Sequence, residues 1–187
     1  MLKREDAEKL IEMMRILFQD ARECQEHVES SDTQFWRRAL VRATFSFIEG
    51  MTVLLKQQAF VAECNKITAE GQIDFGRLSV LAGESYFISD TGELRWRPLT
   101  IPVLNNLLFA FREFAQVHNS SFRLDKSSAE WAALKTALRV RDRLVHPKQL
   151  ENLEVTDSEL EAVETGLTWL NNSLVDLFSE AQRKLRK

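Results

Sequence analysis

Apolar residues recur near the start of the chain at Ala7, Leu10, Ile11, Met14, Leu17, Phe18, Ala21 and Cys24. Steps of three and four residues are the signature of an amphipathic helix, here over residues 4–28. "SSD" at 30–32 offers an N-cap to a second helix over 33–68. The middle of that helix, "ATFSFIEGMTVLL", is apolar nearly all round, which places it centrally. Gly50 interrupts it and marks a close helix crossing or a kink. The rhythm then breaks over 70–100. "DFGRLSVLAG" reads as a short helix, and "SYFISDTGELRWRP" alternates on either side of an Asp90-Thr91-Gly92 turn, which predicts a β-hairpin.

Helical spacing resumes at "VLNNLLFAFREFAQV", to about residue 118, with Thr100 as cap and Pro102 near the first turn. Ser127 and Glu130 have capping-box spacing ahead of a helix over 128–145, which stops at His146-Pro147. Thr156 and Glu159 have the same spacing ahead of a last helix over 157–184. Five major helices with short links predict an all-α bundle in a single domain, with a small insertion at 70–100.

Composition agrees with one helical domain. The 187 residues are 44% hydrophobic, enough for a real core, and Gly and Pro are few. Cys24 and Cys64 stand alone in sequence and match no zinc spacing, so they read as reduced core thiols of a cytoplasmic protein. The charged N-terminus does not read as a signal peptide, and no apolar run reaches membrane-spanning length. No metal or cofactor is expected.

Charge changes the picture. The net value is −3, which argues against a general nucleic-acid coat. Yet residues 121–150 hold seven basic and three acidic side chains, and 151–187 hold four and eight. A local basic patch in an acidic chain can hold a phosphate without gathering polyanions indiscriminately. The patch centres on "LRVRDRLVHPK", residues 138–148.

Proline disfavours helix in the residue before it, so His146 should sit where the helix unwinds. Five residues apart on a continuous helix, Arg141 and His146 would point roughly 140° from each other. An unwound last turn would bring them together. Histidine moves protons near neutral pH, and arginine holds phosphate and neutralises developing charge. Arg139, Arg143 and Lys148 add positive field. The plain alternative is a helix stop: His146 on the last carbonyls, Arg141 paired with a carboxylate, Pro147 ending the helix.

"RDRLVHP" resembles the signature of HEPN domains, helical nucleotide-binding and ribonuclease domains. Their pattern is Arg, a polar Asn or Asp, a few residues, then His, often followed by Pro, late in a helix of a four- or five-helix bundle. Arg141, Asp142 and His146 match it, and the resemblance spans about residues 33–184. It implies a metal-independent endoribonuclease whose motifs meet in a homodimer cleft, with RNA or a nucleotide as partner and a role in toxin–antitoxin or antiphage systems. It also implies a polar residue on an earlier helix facing the motif. Glu49, on one stripe with Arg42 and Ser46, is the candidate; the plain alternative is a pair with Arg42 or an arginine of the 128–145 helix. Asp142 stands where Asn is commoner, and the 70–100 insertion has no assigned counterpart. The competing expectations are a non-catalytic binding module of the same shape, or a structural helical oligomer.

Overall fold

The computed structural model describes residues 4–70 and 74–185; residues 71–73 of the expected 70–100 insertion fall outside this range. Side chains are described over a slightly smaller range, which leaves out Ala7 and Leu10 of the first apolar stripe. Among the described residues the elements are helices α1 (Arg4–Ser30), α2 (Gln34–Glu70) and α3 (Phe75–Ala82), strands β1 (Glu84–Ile88) and β2 (Leu94–Pro98), helices α4 (Val103–Val117) and α5 (Ala129–Val145), a 3-10 turn at Leu150–Leu153, and helix α6 (Asp157–Leu185). The all-α bundle with a small hairpin is therefore the architecture. α3 is the short helix read in the insertion, and β1 pairs antiparallel with β2 with Tyr86 opposite Trp96.

α2 is the axis of the molecule. Leu40, Val41, Phe45, Ile48, Met51 and Leu55 are buried along it, and α1 and α4 are its main neighbours, while α5 pairs with α6. Gly50 makes a close crossing, not a kink: a Cβ there would lie 2.7 Å from Leu17 Cδ1 and 3.3 Å from Met14, so α1 crosses α2 at this point. Gly166 does the same for α6, where a Cβ would meet the Leu134 Cα of α5 at 3.1 Å.

The helix starts show which capping signals decide. The Thr156–Glu159 box forms: the Thr156 N–H donates to Glu159 Oε2 at 3.0 Å, and the Glu159 N–H reaches Thr156 Oγ1 at 3.4 Å. The other three caps are displaced. α2 is capped by Thr33, whose Oγ1 accepts from the Trp36 N–H, because Asp32 is engaged by Arg37. α5 is capped by Ser128, which accepts from the Trp131 N–H, because Asp125 takes both the N–H and the Oγ of Ser127. α4 has Pro102 at its N-cap and no side-chain cap; Thr100 lies too far upstream.

Cys24 and Cys64 are half-buried, and Cys24 packs against the core. His27 stacks on Trp36 at the end of α1, and His118 caps the C-terminus of α4, so both are helix-end residues. The Asp90-Thr91-Gly92 segment is the hairpin turn, with Gly92 at φ +79° and its N–H donating to the Ser89 carbonyl. No described helix is long and apolar enough to cross a membrane.

Candidate functional site

α5 runs in regular form to Val145 because Leu134, Ala137, Val140 and Leu144 bury one stripe against α6 and the core. The opposite side faces solvent with Arg139, Asp142 and His146, and half-buried Arg141 lies beside it. Arg141 is reached from α2 by Glu49: Nη2 donates to Glu49 Oε1 at 2.7 Å, and Nη1 donates to Asp142 Oδ1 at 3.1 Å. Arg42, Ser46 and Glu49 form one exposed stripe of α2. The structure thus joins three of the four residues taken as catalytic candidates into one ion-pair cluster across the α2–α5 junction. Glu49 pairs with an α5 arginine and not with Arg42.

His146 is where the sequence reading needs correction. The last turn of α5 is not unwound: the His146 N–H still donates to the Asp142 carbonyl at 3.1 Å, and the chain leaves the helix only at His146, with φ −125° and ψ 58°. No hydrogen bond joins His146 to Arg141. The imidazole is exposed and has no hydrogen-bond partner among the described residues. His146 lies one turn after Asp142 on the same side of α5, whereas Arg141, five residues back, points elsewhere around the helix.

The three flanking cations differ. Arg143 is engaged on the inner side of α5, donating to both carboxylate oxygens of Glu159 at 2.8 and 2.9 Å and to the Glu154 carbonyl. Burial alone would raise Glu159, but Arg143 and the Thr156 N–H hold its carboxyl below the ordinary value. Arg143 is therefore the brace that holds the start of α6 on the end of α5. Among the described residues Arg139 donates only to Thr136 Oγ1, at 2.9 Å. The Lys148 backbone N–H donates to Asn152 Oδ1, and its side chain is exposed. Arg139 and Lys148 are the two flanking charges left to a ligand.

Two features were missed in the sequence. Glu113, only 1% exposed, accepts from Arg77 of α3 and, at 2.8 Å, from Arg112, while Arg77 also lies 3.1 Å from Glu63 of α2. This buried cluster anchors the insertion on α2 and α4. Its signal was the lone carboxylate inside the apolar run "FAFREFAQV", which has to be paired when buried. The second is a groove of about 440 Å³ between α2, α3 and the hairpin, lined by Phe60, Phe75, Tyr86 and Leu94 among others. Among the described residues no three His, Cys, Asp or Glu side chains converge where they could hold a metal ion.

Comparison with family models, with curated proteins and with solved structures finds no match to this chain.

Proposed function

We propose that this protein is an endoribonuclease of the HEPN type, acting as a homodimer on RNA without a metal ion. The observation that supports the reading is Arg141, held by Glu49 and Asp142 on an exposed face at the end of α5, in a chain reading "RDRLVHP" from that residue. The carboxylates leave several guanidinium N–H donors free for a phosphate.

In the reaction, the 2′-hydroxyl gives its proton to His146 as its oxygen bonds to phosphorus. The P–O5′ bond then breaks, and a second acid protonates the leaving 5′-oxygen. Arg141 neutralises charge on the phosphoryl oxygens, worth about 10²–10³ in rate for one such donor. Glu49 and Asp142 orient it, and Arg139 and Lys148 hold flanking phosphates. His146 stands free of Arg141 within one chain, so a second copy bringing its own motif across a two-fold axis supplies the remaining group. The α2–α5 face is the surface where the copies meet, and it is where an antitoxin would block the reaction.

The products are a 2′,3′-cyclic phosphate and a 5′-hydroxyl. End-group analysis of cleaved RNA tests this: 5′-phosphate ends, or an absolute need for Mg²⁺, would overturn the mechanism.

One observation favours a second reading, a non-catalytic module that binds RNA, a nucleotide or a protein. Arg141 is already neutralised, and the imidazole of His146 has no hydrogen-bond partner among the described residues. That reading predicts RNA binding weakened by Arg141→Ala with no cleavage under any condition.

A further inference from the structure

The hairpin exposes large side chains that a monomer in water normally covers. Phe75 is 72% exposed, Trp96 63% and Tyr86 52%, with Ile88 and Leu94 exposed beside them. Large apolar side chains exposed side by side mark a binding surface. The ladder bonds from the Ser89 N–H to Glu93 and from the Leu99 N–H to Gly83 set its phase. Tyr86 and Trp96 are therefore a non-hydrogen-bonded pair, whose side chains stand closest on one face. On the other face Arg97 lies over the Phe87 ring, 5.6 Å from its centroid, and Arg95 stands opposite Phe87. Among the described residues no carboxylate pairs with Arg97.

The patch and the site share helix α2. Phe60 lines the hairpin groove and lies about three turns beyond Glu49 on α2, only about 20° away around the helix and roughly 17 Å along it. Between them Val53, 44% exposed, lies on the same stripe. A strand held at Arg141 can follow this stripe to the groove within a few nucleotides.

On the ribonuclease reading, we infer that the hairpin and its groove form a platform for unpaired bases of single-stranded RNA. One base stacks on the Tyr86–Trp96 pair, and another enters the groove of about 440 Å³ against Phe60 and Phe75. Glu84 lines the same groove and accepts from the Tyr86 hydroxyl, so a carboxylate is present for the amino edge of a base. Arg95 is held by Glu93 at 2.8 Å, so Arg97, reaching from the other face of the hairpin, is the cation that draws in the phosphates. Aromatic faces flanked by arginine are what single-stranded nucleic acid requires, whereas an A-form duplex hides its base faces.

The test is fluorescence anisotropy of the full chain with a labelled single strand of about sixteen nucleotides, the upper site size for such platforms. The strand is 2′-O-methylated so that it stays intact whether or not the protein is a nuclease. Tyr86→Ala/Trp96→Ala is expected to lose about tenfold or more in affinity for the strand, with little change for a duplex of the same sequence. Both side chains are exposed, and an unchanged melting curve confirms that the variant folds. A wild type that does not bind, or a variant that binds equally, overturns the platform. Equal binding by a variant that sediments at half the wild-type mass also overturns it and makes the face a contact between copies. Cleavage of unmodified RNA is followed in parallel. Cleavage that needs Arg141 but not Trp96 removes the platform and leaves the ribonuclease; Trp96-dependent binding without cleavage does the reverse.

Discussion

Arg141 carries two carboxylates, and they differ in what they can do. Asp142 is its neighbour on the same helix, whereas Glu49 comes from α2 and fixes where the guanidinium points. The Glu49 side chain is 47% exposed, so the pair adds under about 1 kcal/mol to stability. Glu49→Gln should leave the melting temperature nearly unchanged and lower RNA cleavage ten- to hundredfold through misplacement of Arg141; a large drop in melting temperature would make Glu49 structural. Glu159 is the contrasting case. Its folded pKa lies below that of the unfolded chain, so its contribution is present above the ordinary carboxylate value of 4.5 and is lost as pH falls through the lower folded value. Glu159→Gln should cost about 1 kcal/mol at neutral pH and flatten this part of the acid unfolding curve. A parallel offset at every pH in a denaturation series would contradict it.

Helices were legible wherever one pattern governed them. The apolar stripe and the box at Thr156–Glu159 place the start of α6, and the turn residues place the hairpin. Caps were misread where two polar residues compete, as when Asp125 takes Ser127 and passes the cap to Ser128. Close approach was half legible: Gly50 stands out in an apolar run, whereas Gly166 lies in mixed sequence, and only the packed helices show Leu134 against it. Because the neighbour at Gly166 is backbone, Gly166→Val should force α5 from α6 and cost about 1–3 kcal/mol. Thermal unfolding reads this directly, and an unchanged midpoint would mean that the two helices can separate freely.

Across the whole molecule, the insertion is tied to the bundle by charge as well as by apolar packing. Glu113 accepts from Arg77 of α3 in a nearly sealed site, so Glu113→Ala should cost about 1–3 kcal/mol by removing these bonds, with Glu63 still beside Arg77. Hydrogen exchange should then quicken first in α3 and the hairpin; uniform quickening would place the cluster's role elsewhere. Which arginine would meet Glu113 was not legible, since the partner lies in the insertion, far along the chain. The same limit applied to the candidate site. The string at 141–147 was visible as a motif, and Glu49 as a polar residue in an apolar helix. The Arg143 brace and the solvent-facing imidazole depend on how α5 is turned against α6.

The ribonuclease account is tested most directly by RNA cleavage in EDTA with purified wild type, Arg141→Ala and His146→Ala side by side, with the oligomeric state of each recorded. The account predicts cleavage by wild type and a loss of about 10²-fold or more in each variant at unchanged oligomeric state. Equal cleavage by all three, or none by wild type across a broad set of RNAs, would contradict it.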